Sequence, residues 1–322
     1  MGRYLIRRLG FAILLIFVVS SAALLLTKIA PGDFGQTTAG IDLSAEQREQ
    51  LRANLGLNRS AAAQYFSWLG GVLHFDFGRS LLYSRPVSTM VSERALNTAV
   101  LATAALLIAT LIGIPLGIYS GTTSGVGRSI IRFLSVLGLS VPPLIGSLGL
   151  VFLAARTGWF PVGGMTSSGG LDLSWGQWLA EVARHLPLPA IALAIPIAAA
   201  LERLQSEAIE TASHESFVAA SRARGVDRVR SILHHAWPVS LRPVLGFYGV
   251  MIGSLFSGSF VVEVVTSWPG LGRLMFDALK ARDLFLVAGC AATGAFFLAV
   301  GTLFADLLLA YTDPRVGSGE RR

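Results

Sequence analysis

Six apolar stretches, each of bilayer-crossing length, dominate this chain of 322 residues. They occupy residues 9–28, 98–119, 133–155, 186–201, 244–265 and 284–311, the fourth being the shortest. A hydrocarbon core about 30 Å thick takes roughly 20 apolar residues as a helix. Inside lipid every backbone N–H and C=O must find its partner within the protein, so such stretches are helices. Composition agrees: 53% of residues are hydrophobic and 14% charged, against roughly 25% charged in soluble chains. Disordered chains are apolar-poor and charge-rich, and the single Cys290 excludes a disulfide scaffold. The expected class is an all-α polytopic membrane protein with six transmembrane helices. The net charge of +7 could suggest nucleic acid. The arginines instead sit beside apolar spans and form no long run, so no nucleic-acid partner is expected.

Basic residues in short loops orient the spans. Arg3, Arg7 and Arg8 precede the first; Arg128 and Arg132 follow the second. Arg203, Arg222, Arg224, Arg228, Arg230 and Arg242 follow the fourth, and Arg315, Arg321 and Arg322 close the chain. The opposite side has Arg156 and Arg184, then Arg273, Lys280 and Arg282. Both termini are therefore expected in the cytoplasm. The first span is too long for the apolar core of a cleaved signal and reads as an uncleaved signal anchor.

Within the spans, Gly113-x-x-x-Gly117-x-x-x-Gly121 and Gly249-x-x-x-Gly253 place small residues four apart, the spacing that lets helices approach closely. Pro115, Pro142, Pro143 and Pro196 each remove a backbone donor and bend their helices. The freed carbonyls suit a polar pathway or a static kink equally. Glu263 lies near the outer end of the fifth span and Asp306 near the inner end of the sixth. Glu263, Pro142 and Pro143 are the candidates for a gate or pathway.

Motifs of enzymatic chemistry are missing. No Gly-Lys pair exists, so the chain has no phosphate-binding loop of the Walker form. His214-Glu215 opens like a zinc-protease helix, but Val218 stands where the second histidine belongs. Gly270-Leu271-Gly272 lacks a third glycine, and no serine elbow appears. No catalytic residues, no metal site and no cofactor are assigned to this chain.

The most informative segment is the loop 202–241. Ser213 is suited to cap a helix with Glu215 in its first turn. Phe217, Ala220 and Ala223 recur at helical spacing, a small-residue face with one aromatic anchor. Arg222 and Arg224 fall at the negative end, and Gly225 supplies a left-handed stop. Asp227 is suited to start a second helix toward Trp237, which Pro238 ends or bends. A short amphipathic helix like this fits a partner's groove. It fits equally a connector lying on lipid headgroups, with Arg222, Arg224, Arg228 and Arg230 on anionic lipid.

Ala219-Ala220-Ser221-Arg222-Ala223-Arg224-Gly225, with Trp237-Pro238 beyond it, resembles the EAA loop of ABC importer permeases. Ala219 replaces that motif's Glu, Ser221 its second Ala, His235 its Ile and Trp237 its Leu, while glycine and proline keep register. Other segments resemble the B-type permease subunits of dipeptide/oligopeptide and nickel importers. These are Arg3-Tyr4-x-x-Arg7-Arg8, Ala30-Pro31-Gly32-Asp33, Leu55-Gly56-Leu57-Asn58 and Asp76-Phe77-Gly78-Arg79-Ser80. Later come Arg85-Pro86-Val87, Asn97-Thr98, Trp268-Pro269-Gly270-Leu271-Gly272 and Asp313-Pro314-Arg315. The resemblance implies a non-catalytic permease in the bacterial inner membrane. It implies a heterodimer with a second permease subunit, two cytoplasmic ATPase subunits and an extracytoplasmic solute-binding protein. It also implies that Glu215, Phe217, Ala220, Arg222, Ala223, Arg224 and Gly225 couple the spans to the ATPase. Peptides are the expected cargo, with nickel or another small solute as the alternative.

Three segments follow: an anchor helix with an extracytoplasmic helical loop (1–95), a five-helix core containing loop 202–241 (96–312), and a cytoplasmic tail (313–322). Within the outer loop, Ser44-x-x-Gln47 reads as a capping box, and a second helix is expected over 61–73. An ion-driven secondary transporter would show inverted repeats and mid-span acids, and neither is evident here. A non-transporting scaffold is the remaining rival.

Overall fold

The computed structural model describes residues 2–29, 60–72, 74, 76–167 and 173–312. The expected helix from Ser44 and the segments 30–33, 55–58 and 313–315 lie outside them. Helices account for nearly all of it. They are α1 (Gly2–Ile29), α2 (Ala61–Val72), α3 (Val87–Thr122), α4 (Val126–Ser140), α5 (Pro143–Thr157) and α6 (Trp175–His185). Then come α7 (Pro187–Ser213), α8 (Ser216–Ala223), α9 (Arg228–Ser231), α10 (Trp237–Val265), α11 (Leu271–Ala281) and α12 (Leu284–Thr312). Among the described residues the only bridge pairing is antiparallel, Arg79 with Pro86. Five helices are long and apolar enough to cross a bilayer, or six if α4 and α5 count as one bent span.

That bent pair departs from expectation. Residues 133–155 read as one continuous span, yet α4 and α5 meet at 104°. The cause is local. Pro143 disfavours the helical conformation at the residue before it, and Pro142 adopts φ −60°, ψ 143°. Pro143 then opens α5, where a missing N–H costs nothing. Pro115 and Pro196, by contrast, sit inside unbroken helices.

The chain divides into two compact units. The first holds Met1–Ala99 and Pro269–Ala299, so residues 269–299, counted with the core segment on sequence, pack here with the N-terminal one. Val87, Met90 and Val91 of α3 bury against Leu271, Leu274, Ala278, Leu286 and Cys290. Leu24, Trp68 and Ala288 form a second cluster. Asp283 is fully buried and joins two segments. Its carboxylate accepts from the Ser80 hydroxyl (2.6 Å), the Leu82 N–H (3.0 Å) and the Leu286 N–H (3.2 Å) at the start of α12.

The second unit, Val100–Trp268 and Val300–Arg322, is built around α7. The expected fourth span ended at 201, but α7 continues to Ser213. Polar residues at 202, 205 and 206 read as loop on sequence. They continue the helix because they lie on its buried face with Ala198, Leu201, Ile209 and Ala212. The glycines of α3 lie directly on that face. A Cβ at Gly113 would stand 2.6 Å from the Ala198 carbonyl oxygen, and one at Gly117 would stand 2.7 Å from that of Glu202. One at Gly121 would collide with the Ser206 carbonyl and Ile209. Gly249 makes no comparable approach: its Cβ position lies at an ordinary 3.5 Å from Ala305.

Two consequences are measurable. Gly117→Val forces α3 off α7, with an expected loss of about 1–3 kcal/mol, read as a lower unfolding temperature; Gly70→Ala, where a Cβ meets open space, is the tolerated control. Asp283→Ala strands three donors on two segments and should cost about 2–4 kcal/mol, read as faster proteolysis around residues 76–87.

Candidate functional site

The chain between α7 and α10 makes the candidate site. It turns in two residues after Ser213. Ser213 is the last residue of α7 and not the cap of the next helix; the expected capping role passes to Glu215, at φ −67°, ψ 147°. The Glu215 carbonyl takes the N–H groups of Val218 (3.0 Å) and Ala219 (3.2 Å). Its side chain makes no capping bond.

α8 ends as its sequence prescribes. Gly225 has φ +86°, a region that disfavours any residue with a Cβ. The Gly225 N–H bonds to the Arg222 carbonyl (2.9 Å) and the Val226 N–H to the Ser221 carbonyl (3.3 Å). These two bonds form a Schellman motif. Asp227 then caps α9, accepting from the Val229 N–H at 3.0 Å. A π-helical turn, Ile232–Ala236, leads straight into α10. Pro238 therefore stands in the first turn of α10 and does not end a helix there. The wide turn accommodates the ring and the missing N–H that a regular helix could not.

α8 has two unlike sides. Val218 and Ser221 are buried, Val218 against Ile209, Ala212 and Ala236. On the other side Phe217 is 41% exposed. Ala220, Ala223, Arg224, Gly225 and Glu215 are also exposed. Arg222 is exposed too, but it flanks the buried side and lines a cavity beneath α8. The helix is thus pinned by two short side chains and presents an aromatic ring and two alanines outward.

What pins it extends into α3 and α4. Arg128 donates to both carboxylate oxygens of Glu210 on α7 (2.7 and 2.9 Å), and Arg132 adds a third bond at 3.2 Å. Arg228 donates to the Thr122 carbonyl at 2.7 Å. On α7, Glu202 is bonded by the Ser120 hydroxyl, and Gln205 donates to Ser240 of α10 at 2.8 Å. On sequence Arg128 and Arg132 served only to orient the spans, and Glu202, Gln205 and Glu210 read as loop. Only charge complementarity between distant segments could have suggested these pairs, and a sequence does not say which segments meet.

The gate candidates are placed apart from α8. Glu263 is fully buried near the end of α10. Pro142 is exposed at the α4–α5 break, and Pro143 packs near Gly258 of α10, more than a turn before Glu263. Two other motifs meet in the first unit. Asn97 donates to the Pro269 carbonyl (2.8 Å), and the Leu271 N–H donates to the Thr98 hydroxyl (2.7 Å). Among the described residues no group of three or more His, Cys, Asp or Glu is placed to hold a metal.

Residues 113–318 match the family model described as the binding-protein-dependent transport system inner membrane component. Residues 1–101 match the model of that system's N-terminal membrane component. The chain belongs to this family. The oligopeptide transport system permease protein AppB of Bacillus subtilis (strain 168) is 32% identical over 320 residues, covering 98% of this chain and 99% of the relative. The dipeptide transport system permease protein DppB of Lactococcus lactis subsp. cremoris (strain MG1363) is also 32% identical over 320 residues, with the same coverage. The protein is thus a membrane permease subunit of an ABC importer, a system that implies ATPase and binding-protein partners.

Proposed function

We propose that this permease carries di- or oligopeptides and that α8 is the lever through which ATP-driven motion enters it. The cargo assignment rests on relatives named for oligopeptide and dipeptide transport. In this reading the chain pairs with a second permease subunit, two ATPase subunits dock from the cytoplasm, and both termini lie on that side. The binding protein delivers peptide on the opposite face. The chain itself contributes no catalytic group, metal or cofactor.

The observation that carries the lever is the two-sidedness of α8. Its inner residues Val218 and Ser221 are buried in the permease, while Phe217, Ala220 and Ala223 are exposed among the described residues. A ring flanked by alanines fits a groove, because small residues let the helix sink in and the aromatic supplies most of the contact energy. Arg224 and the flanking Arg222 add polar contacts at the rim, Glu215 sets the entry and Gly225 sets the exit angle. Closure of the ATPase pair would move α8, and α7 would carry that motion into the spans. Glu263, Pro142 and Pro143 remain the gate candidates, the α4–α5 break being the bend best able to flex.

In the reconstituted complex, Phe217→Asp should lower peptide uptake about tenfold while ATP hydrolysis persists. Gly225→Val, at a position with open space but positive φ, should uncouple in the same way without blocking insertion. Cross-links from Ala220→Cys should reach the ATPase subunit. Wild-type uptake by a well-expressed Gly225→Val protein would count against the lever.

A further inference from the structure

Beneath α8, the second unit holds a cavity of about 270 Å³, of whose wall the coupling role uses only Arg222. Its wall includes Thr123, Arg128, Glu210, Ser213, Arg222 and Arg228. The charge is unbalanced: three guanidiniums face one carboxylate, and Glu210 is further neutralised by Arg132 from outside the wall. Two of the cations are already positioned. Arg128 is held by Glu210, and Arg228 is anchored by one nitrogen on the Thr122 carbonyl, leaving its other donors available. Arg222 makes no hydrogen bond or ion pair among the described residues, although it borders the cavity. The Ser213 hydroxyl is buried and also has no partner.

Converging guanidiniums with an unused hydroxyl form the donor set that a tetrahedral oxyanion accepts, since each guanidinium can bond two of its oxygens. The size suits a headgroup rather than a larger organic ligand. Basic pockets among membrane helices near the lipid surface recognise phosphate headgroups by this chemistry. We propose that this cavity binds a phosphate-bearing anion through Arg222, Arg228, Arg128 and the Ser213 hydroxyl. Bound there, the anion bridges α8 and α9 to the end of α7 and stiffens the base of α8. Its source is the headgroup of an anionic phospholipid or free phosphate.

The test takes the full-length chain in nanodiscs of phosphatidylcholine, with two probes. Inorganic phosphate is titrated against chloride at matched ionic strength, and phosphatidylglycerol replaces part of the phosphatidylcholine. The readouts are the unfolding midpoint and, by native mass spectrometry, the lipids retained. At least one probe should raise the midpoint saturably. Arg222→Gln removes a side chain without partners among the described residues, so it should fold normally and weaken half-saturation about tenfold. Arg230→Gln, on the same segment but off the cavity wall, should leave it unchanged. A response to inorganic phosphate assigns free anion, and a response to phosphatidylglycerol alone assigns the headgroup. The proposal fails if neither probe acts, if chloride acts equally, or if Arg222→Gln keeps wild-type half-saturation. It also fails if Arg230→Gln weakens binding as much, which would make the effect bulk charge.

Discussion

The contact on which the second unit depends is the bare glycine ridge of α3 lying against the carbonyls of α7. Between membrane helices there is no hydrophobic force to draw them together, so close packing and a few hydrogen bonds must hold them. Gly113, Gly117 and Gly121 meet the backbone at Ala198, Glu202 and Ser206, two strides of four residues in matching register. A side chain at any of these three would hold the helices apart. At this separation the Ser120 hydroxyl reaches Glu202, which lets an acid stay buried at the edge of an apolar span. Burying such a group without a partner would cost several kcal/mol.

From that contact α7 becomes the hub of the unit. Glu202 ties it to α3, Glu210 to two arginines of α4, and Gln205 to Ser240 of α10. The same helix carries Ile209 and Ala212, which seat Val218 of α8. A displacement of α8 therefore acts first on a helix tied to α3, α4 and α10. The proposed lever role asks for no more than this arrangement holds: an attachment on one side of α8 and an exposed face with Phe217, Ala220 and Ala223 on the other. The anion cavity lies at that attachment, where a ligand would alter stiffness without occupying the docking face.

The candidate site was partly legible beforehand because its devices are local. A glycine after two arginines stops a helix by backbone geometry, and an aspartate immediately before a run of helical residues caps one; Gly225 does the first and Asp227 the second. Phe217, Ala220 and Ala223 share a face by helical periodicity alone. Ser213 misled because a serine looks like a cap wherever a helix precedes a break, and nothing local said that α7 would run so far. The Pro142-Pro143 break was visible as a bend but not as a turn of 104°.

The sequence alone determined the membrane class, the approximate positions of the apolar helices and the short amphipathic helix α8, since these follow from hydropathy, periodicity and backbone rules that act within a few residues. Only the tertiary structure decided that Glu202, Gln205 and Glu210 belong to a helix rather than a loop. It alone placed Arg128, Arg222 and Arg228 around one cavity and gathered residues 269–299 with the N-terminal segment. The reason is the same in each case. Glu202, Gln205 and Glu210 each find their partner on a distant segment, and which segment arrives is fixed by packing rather than by neighbouring residues.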